Sequence, residues 1–387
     1  MLDFITQNWP HILIIALISM VDFITVVRSR LIKKYRLHTR PPTSEDFSIL
    51  IPIFGNMSYL RNVDFLSEYG SKVILCTTTH ESEQFNADIE RIADARGFRI
   101  YRSKVVTDVK NKEELIRDGF EIVESKYCVF LDGDTVSKDS LNKLVGQFEK
   151  KKYDVASVRI LSAKNSTLME KMQNIEYELA MDARKVYPWL TSGACIVAKT
   201  RVIREVMSHH SLFFSGGDIE IGKLASMLGY SVGHIPAVFY TDVPPTFKVW
   251  FRQRMAWFAG GFRHAIVNGH TYTWRHPLLF FYNTVLVYAL MFLRWYEVIA
   301  HPLMLGLLYI FYLIIIALAH GRAFKSYYLL FPLYALVQVL VIAPLGVYTY
   351  LKMAIRADNP GIIKLRSKMK ETTIKNFESV TGERAYT

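Results

Sequence analysis

Four long apolar runs bracket one stretch of ordinary globular composition, and every fold open to this chain must accommodate them. The first is "HILIIALISMVDFITVV", His11 to Val27; three more, Pro277 to Leu293, Pro302 to Ala319 and Tyr327 to Tyr350, lie toward the other end. Each is close to the length a helix needs to cross a hydrocarbon layer of about 30 Å, the first two of the closing runs being at the short end. Of the 387 residues 51% are hydrophobic and 13% aromatic, more than a soluble core requires, so part of the surplus is expected to face lipid.

The basic segment "RSRLIKKYR", Arg28 to Arg36, follows the first run directly. A secretory signal has its charge before the apolar run and a cleavage site after it, so residues 1–30 read as a retained anchor with its basic flank cytoplasmic. Asp22, inside this run, is expected to pair with Arg28 or Arg30 near the interface. The predicted organisation is then a cytoplasmic domain over 40–245, amphipathic interface helices over 246–276, about three membrane helices over 277–350 and a basic tail over 351–387. This makes a multi-pass protein of the plasma membrane. One conflict stands in this topology: three closing crossings put the tail outside, yet it carries Arg356, Lys364, Arg366, Lys368 and Lys370, which the positive-inside rule draws inward. Pro344 makes the last run the least regular of the three.

The formal charge of +12 gathers around the apolar runs and accompanies no nucleic-acid motif, so anionic headgroups and diphosphate substrates are the expected partners. Cys76, Cys128 and Cys195 lack metal-ligand spacing and read as buried thiols.

Within the central stretch, "FSILIPIFGN" (Phe47 to Asn56) is an apolar run closed by Pro, Gly and Asn, as a strand buried on both faces is, and "SKVILCTTTH" (Ser71 to His80) and "YCVFLDGD" (Tyr127 to Asp134) are a second and a third such run. Helical patterns separate them: "SEQFNADIERIADARG", Ser82 to Gly97, begins on a capping serine and ends on glycine, and "NKEELIRDGFEIVES", Asn111 to Ser125, repeats the device. Alternating strands and helices predict an α/β fold with a mostly parallel sheet, whose ligands sit beyond the carboxyl ends of the strands.

Asp132 and Asp134 fall at such an end, on either side of Gly133. Two carboxylates on a flexible turn can hold a hard divalent cation, Mg²⁺ or Mn²⁺, which neutralises a departing diphosphate; Asp and Gly are also common turn formers. Asp218, after "SGG" and before "IEIGKLASMLG", is suited either to cap a helix or to take a proton from an attacking hydroxyl.

Taken in order, "KNKEELIRDGFEIVESKYCVFLDGDTV", "TSGACIVAKT" and "SGGDIEIGKLASMLGYSVGHIPAVFYTDVPPTFKVWFRQRMAWFAGGF" resemble the membrane-bound family 2 glycosyltransferases, the cellulose, chitin and hyaluronan synthases among them. The resemblance runs from about Phe47 to Phe262. It implies a GT-A fold, Rossmann-like, that binds a UDP-sugar with a divalent metal and transfers the sugar with inversion. It assigns Asp132 and Asp134 to the metal, Asp134 more directly, and Asp218 to the general base. Lys112 is assigned to the diphosphate, and Ser192, Gly193 and Ala194 to a loop near the acceptor. Pro52, at the end of the first run, joins the nucleotide side. Where many members have an aspartate after the second strand, Thr77 and Thr78 stand here and are expected to meet the base.

A second departure lies in "FRQRMAW", Phe251 to Trp257. Processive members carry Gln-x-x-Arg-Trp; Gln253 and Trp257 are in place, but Ala256 holds the arginine position, so Arg252 or Arg254 is expected to supply the charge. The same segment, with Phe247, Trp250, Phe251, Trp257 and Phe258, also reads as an amphipathic helix on a membrane surface. The expected activity is that of a processive polysaccharide synthase that passes its growing glycan through its own spans. The alternatives are addition of a single sugar to a lipid acceptor such as polyprenyl phosphate, and an inactive scaffold, against which the three aspartates argue.

Overall fold

The computed structural model describes residues 2–32, 42–104, 112–210, 212, 216–267, 287–321 and 325–355. The chain opens with helix α1 (Leu2–Leu31), continues through β1 (Phe47–Pro52), β2 (Val73–Thr78), α2 (Glu83–Arg96), β3 (Arg99–Ser103), α3 (Lys112–Gly119), β4 (Tyr127–Leu131), β5 (Val136–Ser137), α4 (Leu141–Lys151), β6 (Val155–Ser162) and α5 (Leu168–Val186). It goes on with β7 (Cys195–Lys199), α6 (Thr200–His209), α7 (Gly217–Met227), β8 (Val232–Thr241), α8 (Phe247–Val267), α9 (Val287–Ala300) and α10 (Met304–His320). A last continuous helix, α11 (Ser326–Lys352), contains a π-helical turn at Gln338–Ile342.

Two compact units result. One is a sheet unit built from residues 35–163 and 187–242; the other is a helical unit built from 1–34, 164–186 and 243–352.

Among the described residues the sheet unit holds eight strands in the order β3-β2-β1-β4-β7-β6-β8-β5. β1, β2, β3 and β4 are mutually parallel. β7 runs antiparallel to both β4 and β6, and β8 is parallel to β6 but antiparallel to β5. The sheet is therefore mixed, where alternation of strands and helices predicts a mostly parallel one; helices still separate β5, β6, β7 and β8, so alternation along the chain does not by itself fix the direction in which a strand pairs. The parallel half bears out the reading of its apolar runs: Ile49, Leu50, Ile51, Val73, Ile74, Leu75 and Val129 are completely buried, as strands covered on both faces must be. β8 instead alternates buried and half-buried residues along its length, one face toward the core.

Local signals set the helix ends. The Phe85 amide donates to the Ser82 hydroxyl at 3.2 Å, and α2 stops at Gly97, whose φ of 68° a side chain would oppose. In α4, Gly146 lets the backbone of Pro42 lie against the helix: a Cβ there would fall 2.0 Å from the Pro42 carbonyl oxygen.

In the helical unit α1 packs on α5, α9 and α10. Ile15 of α1 joins Met304, Leu308 and Leu336 in one buried cluster, and a second gathers Met172, Ile175, Trp250, Ile316, Phe331 and Tyr334. Two helices here, Thr6–Leu31 and Ser326–Lys352, are long and apolar enough to cross a membrane, and the shorter Met304–His320 is apolar throughout. The predicted span over Pro277 to Leu293 lies largely outside the described residues, as does the basic tail from residue 356. Asp22 does not pair with Arg28 or Arg30; its carboxylate lies 3.5 Å from Arg294 of α9. Arg28, six residues on, is rotated about 240° around the helix from Asp22, and the true partner is invisible to local sequence.

Gly146→Ala is expected to destabilise the sheet unit by about 1–3 kcal/mol, because main chain rather than a flexible side chain must yield. Thermal unfolding of the purified variant checks this; an unchanged midpoint contradicts the close approach.

Candidate active site

Because β7 starts where β4 ends, with Leu131 opposite Cys195, the segments leaving one strand and entering the other meet at one sheet edge. The Asp132 amide donates to the Ala194 carbonyl at 3.1 Å. The Asp132–Asp134 turn is fixed from a second side by Asn62, a residue that sequence reasoning missed, whose side-chain amide donates to the carbonyls of Asp132 at 3.0 Å and Thr135 at 2.9 Å.

Lys112, in the first turn of α3, donates to the Asp132 carboxylate at 2.8 Å and to the Gly193 carbonyl at 3.2 Å. Asp218, in the first turn of α7, accepts the Gly193 amide at 2.7 Å. The structure thus brings Lys112, Asp132, Gly193 and Asp218 together. Asp218 is not the cap of α7; that position belongs to Gly216, and the Asp218 carboxylate faces the Gly193 loop instead. A side chain at 193 would displace the site groups, since a Cβ would fall 2.9 Å from Lys112 Nζ and 3.1 Å from Asp218 Oδ2. Thr191 completes the loop by donating its hydroxyl to the Asp218 carbonyl.

Burial opposes the charge of Lys112, but Asp132, Glu113 and Asp218 outweigh it and hold the ammonium above the ordinary lysine range. Asp134 lies toward the end of β8, accepting the Thr241 hydroxyl at 3.0 Å. Burial, then the neighbouring Asp132, push its carboxyl above the usual carboxylate range. A partly buried, all-oxygen pair whose ionisation is opposed by its own neighbour is a donor set that a hard divalent cation relieves, so Asp132 and Asp134 fit Mg²⁺ or Mn²⁺.

Beneath the site is a buried charged layer that sequence reasoning did not single out. Glu113, His210, Glu220 and Lys223 are each 5% exposed or less. The Leu212 amide donates to His210 Nδ1, so the proton sits on Nε2 and is donated to the Gly217 carbonyl, each at 2.9 Å; this steadies the start of α7. Burial lowers Lys223 to about 7, against the pull of Glu220. The signal that could have found this layer is charge in the apolar faces of "KEELI" and "IEIGKLA".

On the nucleotide side, Pro52 and Thr78 close β1 and β2. The Thr77 hydroxyl is buried with no hydrogen-bond partner among the described residues, while Thr78 donates to Glu81 at 3.1 Å.

In the helical unit, Arg254 is 1% exposed and its guanidinium forks onto Glu176, with Nε–Oε1 3.0 Å and Nη2–Oε2 2.8 Å. Gln253 and Gln173 each accept a further N–H from it, and the Trp257 ring lies 4.0 Å from it. Tyr334 donates to the same Glu176 and accepts from Trp250 Nε1 at 2.7 Å. Of the two arginines named from sequence, Arg254 is thereby committed within its unit, and Arg252 is the exposed one.

Gly193→Ala should lower turnover on the order of a hundredfold while the fold persists, since it displaces Lys112 and Asp218 together; equal rates for variant and parent refute the geometry. Mn²⁺ binding, followed by calorimetry, should weaken as pH falls on the acid side of neutrality, because a raised carboxyl protonates earlier than an ordinary aspartate and metal requires the anion. Arg254→Ala should cost about 3 kcal/mol by leaving the Glu176 carboxylate without its cationic partner, read as a lowered melting temperature.

Residues 127–351 match the family described as glycosyl transferase family group 2. No curated protein matches. Among solved structures, the mannosyltransferase PcManGT from Pyrobaculum calidifontis, in complex with GDP-Man and Mn²⁺, aligns over 95% of this chain and 99% of its own at 14% identity and a TM-score of 0.50. S. aureus TarS 1-349 aligns over 87% of this chain and 92% of its own at 12% identity and a TM-score of 0.41. The PcManGT likeness extends to the fold, a Rossmann-like GT-A sheet core, and the family match spans more than half of the chain. The chain belongs to glycosyl transferase family group 2 and is a glycosyltransferase.

Proposed function

We propose that this protein is a membrane-integrated, inverting glycosyltransferase that uses a UDP-sugar and a divalent metal to extend a growing glycan. The observation that carries the reading is the gathering of Asp132, Lys112 and Asp218 around Gly193 at the carboxyl end of β4.

In this reading the acceptor hydroxyl oxygen attacks the anomeric carbon, the bond to the diphosphate breaks, and UDP departs with the electron pair. Asp218 takes the hydroxyl proton; the Gly193 amide orients its carboxylate. Lys112 binds the diphosphate and stabilises the charge it gains, its ammonium kept protonated by the surrounding carboxylates. Asp132 and Asp134 hold the metal, which when bound supplies Lewis-acid help to the leaving group. The buried Thr77 hydroxyl faces a uracil edge, and Pro52 and Thr78 flank the base. PcManGT with GDP-Man and Mn²⁺ supports nucleotide-sugar and metal use. Arg252 supplies the positive charge absent at Ala256, and Trp257 stacks on acceptor sugar.

Membrane integration is supported by the two long apolar helices and by the exposed stripe Leu13, Leu17, Met20, Ile24 and Val27 on α1, repeating every three or four residues. The basic residues that follow the first apolar run support a catalytic domain on the cytoplasmic side of the plasma membrane.

A second reading, addition of one sugar to a lipid acceptor such as polyprenyl phosphate, is favoured by the binding of Arg254 to Glu176, which departs from the processive pattern.

The test supplies purified protein with Mn²⁺ or Mg²⁺ and a panel of UDP-sugars, following UDP release and product size. A high-mass product, lost in Asp218→Asn and reduced in Arg252→Ala, is the expected result. Release with only a small lipid-extractable product selects the second reading, and no release with any donor refutes both.

A further inference from the structure

We infer that His11, Glu297 and His301 form a second metal site, distinct in chemistry from the aspartate pair, which binds a divalent transition-metal ion of the Zn²⁺ class and ties α1 to the end of α9. His11 lies near the start of α1, Glu297 in the last turn of α9, and His301 just beyond it. His11 Nδ1 is 2.9 Å from Glu297 Oε2. The His11 and His301 rings stack with centroids 3.6 Å apart and planes tilted by 33°. One ligand atom from each of the three residues falls within 4.8 Å of the other two.

The surroundings give this cluster a reason to take a cation. Glu297 is 2% exposed, so its carboxylate has given up water, and among the described residues its side-chain partner is the His11 ring. The stacked His11 and His301 rings each bring a nitrogen, a good ligand for such an ion, to the same side as this carboxylate. A bound dication supplies a counter-charge to this buried carboxylate.

Two imidazole nitrogens and one carboxylate oxygen make a set suited to Zn²⁺, with bonds of about 2.0–2.2 Å reached as the rings turn inward. The all-oxygen Asp132–Asp134 pair suits harder ions, so the two sites differ in preference. A three-ligand set leaves a fourth position for water, within reach because the His11 side chain is 27% exposed. With α1 crossing the bilayer as proposed above, the rise from His11 to Arg28 is roughly 25 Å, which puts this site at the interface opposite the basic flank. The metal site itself does not depend on that crossing, nor on the transferase reading.

The full-length protein in detergent, carrying Asp132→Asn and Asp134→Asn so that the candidate catalytic pair is silent, is stripped with chelator and titrated with ZnCl₂. Bound zinc is counted by mass spectrometry and the melting temperature recorded. The expected result is one equivalent per chain with a rise of several degrees. His301→Ala should bind at least tenfold more weakly and lose the rise, and His301→Cys, which keeps a zinc ligand, should retain both. Absence of bound zinc, binding unchanged in His301→Ala, or loss in His301→Cys despite a folded melting transition overturns the proposal and identifies His11–Glu297 as a plain ion pair.

Discussion

The antiparallel register that sets Leu131 of β4 against Cys195 of β7 governs the candidate site. An antiparallel neighbour begins where its partner ends, so the turn bearing Asp132 and the loop bearing Gly193 are brought together by strand pairing alone. A parallel β7 of five residues would enter the sheet at its far edge, about 17 Å away, and neither Lys112 nor Asp218 could reach both segments. Gly193 is the point where this arrangement is tightest: it faces Lys112 through its carbonyl and Asp218 through its amide.

The site concentrates negative charge around one lysine. Asp132, Glu113 and Asp218 all act on Lys112, and Asp134 is opposed by burial and by Asp132. Such crowding weakens a fold unless something binds there, and a divalent ion with a diphosphate is the partner that makes the crowding useful. The buried layer below acts differently. His210 holds the Gly217 carbonyl, so the start of α7 and the Asp218 carboxylate keep their direction without the site's own charges having to do it.

In the helical unit, polar groups inside an apolar assembly act as registers. Glu176 of α5 is the acceptor for Arg254 of α8 and for Tyr334 of α11, so one carboxylate fixes three helices that apolar packing alone would let slide. Asp22 and Arg294 do the same between α1 and α9. Next to the departure at Ala256, the Arg254 guanidinium is given over to holding helices together rather than to a ligand.

Much of this was legible in the residues themselves. Continuous apolar runs determined β1, β2 and β4, because strands buried on both faces tolerate little else, and Ser82 and Gly97 set the ends of α2 through capping chemistry. The position of Asp132 and Asp134 at a strand's end followed from that pattern. Tertiary structure alone decided the antiparallel β7, since pairing direction depends on neighbours far along the chain. It also decided the partner of Asp22, the binding of Arg254 to Glu176, and the charged layer of Glu113, His210, Glu220 and Lys223. Each joins residues distant in sequence, and whether a charge is solvated, paired or buried is fixed only when the elements pack.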